Sequence, residues 1–379
     1  MAKAHNNDRP IKVLHFVTGG FSGATQVAID LVKSAPNSEH IESLLVLRRK
    51  RQTPQSKIQA LIDAGISVKT VSGLAHSVSI YQLWRICKHF RPDFLVAHGF
   101  SEHIIGRYAG LLAGVPRLIH VEHNSRERYT FWRLVQSRWL AKRTAAIVGV
   151  SDGVKTRLLE LKFPADRVIS IPNGINLTSF ADAQSHTYEH RAGNIVMCAR
   201  FSAQKDHETA LRAMKILKDK GHAPLLYFAG GGKLRYLNRA RELTRRLGLD
   251  GQVKFLGLCS DIPSLLKENQ IFLLSTHYEG MPLALIEGMA AGCAVVASNV
   301  VGVKEIVQHD ENGLLVAEAD PEGLAAQLER LLTHPELGQA LSRAAIQTAR
   351  SRHSIELMQQ RYEALFIANG PNNHRRTEL

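Results

Sequence analysis

The stretch IFLLSTHYEGMPLALIE, residues 271–287, opens with an apolar run, Ile271 to Ser275, of the kind that forms a parallel strand buried on both faces. Gly280 permits an unusual backbone conformation and Pro282 suits the first helical turn, so a helix is expected to start here. A helix N-terminus carries unpaired amide donors and a partial positive charge, which makes it a seat for a phosphate. Glu279 lies just before that helix and Glu287 about two turns inside it, and carboxylates accept hydrogen bonds from vicinal hydroxyls. Either glutamate alone would read as an ordinary helix residue, so the pair takes its weight from what surrounds it.

Outward from this βα unit the same grammar recurs. Short Val/Ile/Leu runs at Ile11–Val17, Ser43–Leu47, Phe94–Ala97, Arg117–Val121 and Ala145–Val150 alternate with segments of helical spacing such as Ala24–Ser34 and Ser79–Phe90. A polar stretch, Pro172–Asn194, interrupts the alternation. A second series follows, with strands near Ile195–Ala199, Leu225–Ala229, Val253–Leu256, Ile271–Ser275 and Ala294–Ala297. At 379 residues the chain is too long for one ordinary core. The expected fold class is α/β: two Rossmann-like doubly wound parallel-sheet domains facing a central cleft, with ligands beyond the carboxyl ends of the strands. The expected boundaries are 1–175 and 194–353 for the domains, 176–193 for a linker, 354–368 for a C-terminal helix returning to the first domain, and 369–379 for a disordered tail.

Arg200 and Lys205 follow the first strand of the second series. Arg brings a bidentate fork and Lys a mobile point charge, a pair able to neutralise a diphosphate or simply to sit solvated at a domain edge. In the first series, Thr18-Gly19-Gly20-Phe21-Ser22-Gly23 links a strand to a helix and reads either as a phosphate loop or as a tight turn. It is not Gly-x-Gly-x-x-Gly, and no acid ends the next strand, which disfavours a nicotinamide cofactor. His123 ends a strand on the cleft edge. His98 is similarly placed, with a plain strand-end role equally open to it, and Glu122 is a weaker candidate because strand parity turns it away from His123.

Glu279 and Glu287 in a Glu-x7-Glu pattern around Gly280-Met281-Pro282 resemble the signature of glycosyltransferase family 4, and Arg200 and Lys205 resemble that family's Arg-x4-Lys pair. Weaker agreements, in the family's order, run through Val150–Val154, Ile171–Ile175, Phe228–Gly232, Val253–Gly257 and Glu305–Val307. The resemblance implies the GT-B fold and a retaining transfer from a nucleotide-diphospho-sugar, UDP- or GDP-linked, to a glycan or lipid-linked acceptor in cell-surface polysaccharide or glycolipid synthesis. It implies that Glu279 holds the transferred sugar, Glu287 the ribose, the stretch Gly280, Met281, Pro282, Leu283 and Ala284 the distal phosphate through those of its residues that carry an N–H, and Arg200 and Lys205 the diphosphate. By the same resemblance the turn at Leu256 pins the base, Gly20 and Gly23 are acceptor-side or diphosphate contacts, and His123 bonds the donor sugar's hydroxyls. The rival readings are a nucleotide-sugar epimerase of the same fold and a noncatalytic anion- or nucleic-acid-binding protein.

The composition narrows the field. Apolar residues make up 45% and charged ones 22%, the balance of a globular chain. The four cysteines sit singly, so free thiols in a reducing compartment are expected rather than a disulfide framework or a zinc site. With no Asp-x-Asp and no His or Cys cluster at ligand spacing, neither a metal nor a cofactor beyond the nucleotide-sugar is expected. A net charge of +14 points to an anionic partner, and no nucleic-acid-binding signature accompanies it. The polar start, Met1–Pro10, has no apolar segment of the secretory kind, and Met281–Ser298 is broken by Glu287, Gly288 and Gly292. A cytoplasmic location without a membrane span is therefore expected. Residues 125–143 combine six basic residues with Tyr129, Phe131, Trp132 and Trp139. Two readings stand for them: a helix resting on the inner face of an anionic membrane, or one packing its tryptophans on the sheet.

Overall fold

The computed structural model describes residues 9–34, 40–51, 53–126, 129–184 and 187–370. It divides into two compact units, Met1–Pro172 with Met358–Leu379, and Asn173–Leu357.

In the first unit the elements alternate as β1 (Ile11–Thr18), α1 (Gly23–Ser34), β2 (Ile41–Arg48), α2 (Gln55–Asp63), β3 (Val68–Val71), α3 (His76–Phe90), β4 (Phe94–His98), α4 (Phe100–Ala113), β5 (Arg117–Glu122), α5 (Phe131–Ala141), β6 (Ala146–Gly149), α6 (Asp152–Glu160) and β7 (Val168–Ser170). All seven strands are parallel in the order β3-β2-β1-β4-β5-β6-β7. The order reverses between β1 and β4, the switch point at which doubly wound sheets place their ligands. Both faces of the sheet are covered, which is why β1 can be almost wholly apolar: Leu14 and Phe16 enter one core with Leu83 and Ile105, and Val17 enters another with Ala28 and Leu47.

The second unit begins with two 3-10 segments, Leu177–Gln184 and Tyr188–His190, then runs β8 (Ala192–Cys198), α7 (His207–Asp219), β9 (Leu226–Ala229), α8 (Leu234–Arg246), β10 (Val253–Gly257), α9 (Ile262–Lys267), β11 (Asn269–Leu274), α10 (Leu283–Ala290), β12 (Ala294–Ser298), β13 (Leu314–Val316), α11 (Pro321–Thr333) and α12 (Pro335–Arg352), after which α13 (Ile355–Ala368) follows. Its six parallel strands are ordered β10-β9-β8-β11-β12-β13, with the reversal between β8 and β11. Helix starts are fixed locally. Asp206 accepts a hydrogen bond from the Thr209 amide at 3.1 Å to open α7, and Asp320 accepts one from Gly323 at 2.8 Å to open α11.

The structure corrects the expected linker. Residues 176–193 belong to the second unit, because Phe180, Ala183 and Tyr188 are buried and Tyr188 packs with the core beneath β8. Their spacing is that of isolated anchors in 3-10 turns, which no helical or strand periodicity announces. The chain changes unit at Pro172/Asn173 and again at Leu357/Met358, so most of α13 is grouped with the first unit, where Phe366 lies 5.1 Å from the Phe94 ring. Of the expected tail, residues 371–379 lie outside the described residues.

Met281–Ser298 resolves into the end of a loop, α10 and β12, with most of its side chains buried. Among the described residues no helix is long and apolar enough to cross a membrane. All four cysteines are free.

Candidate active site

At the switch point of the second sheet, the loops after β8 and β11 are stitched together. The His277 amide donates to Gln204 O at 2.9 Å and the Asp206 amide to Ser275 O at 3.1 Å, and Lys205 bridges to Thr276. The Lys205 ammonium therefore meets the Glu279 carboxylate directly. Thr276 Oγ1 donates to the same carboxylate at 2.9 Å and Gln204 Nε2 at 3.3 Å, so Glu279 is held on three sides while buried. Gln204 also donates to Tyr278 O at 2.8 Å. A buried carboxylate with three donors is fixed in direction, which suits a group that must orient a ligand's hydroxyls.

Arg200 lies at the end of β8 with its side chain exposed, and Glu287 is half-buried in α10. Glu287 is close enough to the Cys198 thiol, at the end of β8, to add to the upward shift that burial imposes on that thiol. The residues singled out in this half of the sequence, Arg200, Lys205, Glu279 and Glu287, thus gather at the ends of β8 and β11. Of the four, Lys205 lines a cavity of about 380 Å³, together with Ser202, His207, Tyr236, Arg239 and His277. A larger one of about 730 Å³, by Tyr188, Arg191 and Arg343, touches none of them.

Two local expectations change. The helix starts at Leu283 with Pro282 as its N-cap, so Glu287 sits little more than one turn in. Gly280 is not among the residues with positive φ. What the loop requires of glycine is instead at Gly302, whose φ is +80° and whose Cβ would lie 2.1 Å from Gly280 O. No side chain caps α10, and the first helical bond runs from the Leu285 amide to Pro282 O at 3.1 Å. Met281 is held from behind by Asn173, whose amide lies 3.0 Å from the thioether sulfur. Leu256, near the end of β10, is exposed, and the next residue, Gly257, accepts at its carbonyl from the Gly230 amide at 2.7 Å.

In the first unit, Gly20 lies in the turn after β1 and Gly23 starts α1; Thr25 Oγ1 donates back to Thr18 O at 2.9 Å and closes the turn. His98 and His123 are joined, Nδ1 to Nε2, at 3.2 Å, and His98 Nε2 lies 3.1 Å from His15 Nδ1. Burial drives all three imidazoles to lower pKa, His15 and His123 to about 3. His15 was not legible as a site residue, since a lone polar residue within an apolar strand gives no sign of its cross-strand partner.

Glu122 faces the opposite side of β5, as its parity requires. It accepts from Tyr129 Oη at 2.9 Å and stands 3.6 Å from His120 Nε2. The fold brings His103, His120 and Glu122 within 4.8 Å of one another, a cluster that sequence spacing did not announce. The rings of His103 and His120 are stacked, centroids 4.0 Å apart at 26°. The buried Arg107 guanidinium donates to His103 Nδ1 at 2.6 Å, while His103 Nε2 and both ring nitrogens of His120 are buried without a hydrogen-bond partner among the described residues. The cluster lies between one guanidinium and one carboxylate, and burial raises the Glu122 carboxyl.

Helix α5 bears on the sheet-packing reading of 125–143, of which 127 and 128 lie outside the described residues. Its aromatic face is in solvent and not on the sheet: Trp132 is 73% and Trp139 44% exposed, with Phe131 and Val135 beside them. Arg143 lies over the Trp139 ring at 3.9 Å.

Two doubly wound sheets in tandem, with an acid–base cluster at the switch point of the second, define the GT-B class of glycosyltransferase folds. Solved structures agree. An Anabaena protein, HepE, crystallised with UDP-glucose, superposes with a TM-score of 0.82 over 94% of this chain and 100% of its own at 20% identity. A glycosyltransferase from Rickettsia africae gives 0.81 over 96% and 99% at 19% identity. Residues 21–179 match the family model described as Glycosyltransferase Family 4, and residues 181–348 match Glycosyl transferases group 1. The chain belongs to glycosyltransferase family 4 and is a glycosyltransferase. Among its relatives, the lipopolysaccharide core biosynthesis glycosyltransferase LpsD of Rhizobium meliloti is 29% identical across 94% of this chain and 98% of its own. The UDP-Gal:alpha-D-GlcNAc-diphosphoundecaprenol alpha-1,3-galactosyltransferase of Escherichia coli is 26% identical across 69% and 72%.

Proposed function

We propose that the protein is a retaining, metal-independent hexosyltransferase that moves a sugar from a UDP- or GDP-sugar to a lipid-linked or glycan acceptor in cell-surface polysaccharide or lipopolysaccharide synthesis. The observation that carries the reading is the three-point clamp on Glu279 at the ends of β8 and β11, beside Arg200 and the uncapped start of α10. In this reading Arg200, Lys205 and the α10 amides stabilise the departing diphosphate, which is electrostatic catalysis by groups fixed where negative charge grows. Glu279 orients the sugar, Glu287 the ribose and the Leu256 turn the base. On the first unit His123 meets the sugar, and Gly20 and Gly23 lie toward the acceptor. The names of the two relatives support the polysaccharide setting, and the UDP-glucose complex of the Anabaena protein supports the donor class.

The exposed Trp132 and Trp139, with Arg133, Lys142 and Arg143 exposed on the same segment, support docking on the inner face of an anionic membrane, where a lipid-linked acceptor would reside. The test of the activity is a panel of UDP- and GDP-sugars, with thermal shift for binding and the anomeric configuration of the product read by NMR. One donor is expected to raise the melting temperature and to be turned over with retention; Glu279→Ala is expected to keep nucleotide affinity and lose turnover. Inversion at the anomeric carbon, or full turnover by Glu279→Ala, overturns the reading.

A further inference from the structure

Three histidines on neighbouring strands of the first sheet form one line. His15 on β1 lies in register with Val96, two residues before His98 on β4; His98 lies in register with Val121, two residues before His123 beyond β5. A step of two residues per strand keeps every side chain on one face, so the line climbs from the buried middle of the sheet to its carboxyl edge. His15 and His98 are 1% and 0% exposed, and His123 is half-buried. Successive rings are 5.4 Å apart and tilted by 28° and 29°, and their facing nitrogens are 3.1 and 3.2 Å apart.

Proton counting restricts this line. A neutral imidazole has one N–H and one bare nitrogen, and each of the two contacts needs one proton between its two nitrogens. If His98 donates through Nε2 to His15, its bare Nδ1 must receive the Nε2 proton of His123, and His123 Nδ1 is bare. If His98 donates through Nδ1 to His123, its bare Nε2 must receive the Nδ1 proton of His15, and His123 Nδ1 carries a hydrogen. The three rings therefore share one tautomer, all Nε2–H or all Nδ1–H. Because His123 Nε2 is committed to His98, the nitrogen left for a ligand is Nδ1.

We propose that His15 and His98 are positioning residues that set, through this chain, whether His123 Nδ1 meets a sugar hydroxyl as a donor or as an acceptor. This rests on the reading of His123 as a donor-sugar contact and moves His98 out of the substrate shell. Burial keeps the rings uncharged, and the neighbouring titratable groups act in known senses: His120 lowers both His98 and His123, while Glu122 accepts the His123 amide at 3.0 Å on the far side of the strand. Without the chain, the His123 ring could take either tautomer and turn about its side-chain bonds.

The test uses the full chain with ¹⁵N-labelled histidine. Long-range ¹H–¹⁵N spectra, assigned by single substitutions, are expected to show His15, His98 and His123 neutral from pH 6 to 8 and in the same tautomer. Two of these rings in opposite tautomers, or one of them titrating in that range, overturns the chain. Kinetically, His15→Phe, which touches no substrate, is expected to lower kcat/KM for the donor by roughly five- to tenfold, the worth of one oriented hydrogen bond. In a His123→Ala background the same substitution is expected to have no further effect, whereas a merely structural role would be additive. Wild-type kcat/KM in folded His15→Phe, with His123→Ala impaired, overturns the positioning role. Wild-type kcat/KM in His123→Ala means instead that the donor-contact reading has failed, and the spectra still judge the chain by themselves. Should His15→Phe not fold, His15→Gln and the wild-type spectra decide.

Discussion

Acidification should unfold the first unit through its buried histidines. His15 has an ordinary pKa of 6.5 and a folded value of about 3, lowered by burial. Between those values the unfolded chain binds the proton and the folded one does not, so stability rises with pH across this window and is lost as pH falls below 6.5. At pH 5 the unfolded ring is favoured by the 1.5 units between 5 and 6.5, which at about 1.4 kcal/mol per unit is about 2 kcal/mol for His15 alone. His98, His103 and His120, also lowered by burial, act in the same direction. Glu122 opposes them, because its raised carboxyl is protonated in the folded state before the unfolded one. The three tryptophans, Trp84, Trp132 and Trp139, all lie in the first unit, so their fluorescence during urea unfolding reports that unit. Wild type should lose stability between pH 7 and pH 5, and His15→Phe should lose about 2 kcal/mol less over the same interval. Equal losses in the two proteins, to within about 0.5 kcal/mol, would refute a neutral buried His15.

Arg200→Ala should cut turnover by roughly 10²-fold or more while leaving the melting temperature nearly unchanged, since its side chain is exposed. Lys205→Ala should cut turnover comparably and also destabilise by on the order of 3 kcal/mol, because it leaves the buried Glu279 without its cation. Denaturant melts beside initial rates separate the two; identical melts would contradict the buried pair. Gly302→Ala should cost roughly 1 to 3 kcal/mol and slow turnover, as its methyl group would press on Gly280; a variant with wild-type melting and rate would show that the loop is not held there. Trp132→Ala with Trp139→Ala should abolish sedimentation with anionic vesicles and leave turnover of a soluble acceptor analogue intact; undiminished sedimentation would move the docking face elsewhere. Turnover should survive EDTA, and a strict requirement for a divalent ion would displace Arg200 and Lys205 from the role proposed for them.

The interior of both sheets was readable because parallel strands covered on both faces must be continuous apolar runs. β1, β4, β5, β11 and β12 fall within about two residues of their expected bounds for that reason. The strands that escaped reading, β3, β7 and β13, are all at sheet edges and only three or four residues long. An edge strand has a single partner, so it needs no long hydrophobic run to be held. The candidate site divides in the same manner. Glu279, Glu287, Arg200 and Lys205 could be picked out because their types and spacing follow strand ends. The direct pairing of Lys205 with Glu279, and the parts of Gln204 and Thr276 in holding Glu279, depend on two loops far apart in sequence crossing at one point. His15 escaped for a related reason, since only the register across three strands gives it a partner.

The first unit is closed by α13, the last helix among the described residues. Met358, Tyr362 and Phe366 are buried within it, and Phe366 meets both Phe94 and His15. During synthesis, then, the N-terminal sheet must wait for its final wall while the whole of the second unit emerges from the ribosome, and the domain that is translated first is the one completed last. A nascent chain halted before residue 358 would expose the phenylalanine and histidine rings of β4 and β1 to whatever chaperone stands at the exit, whereas the second domain could already be whole.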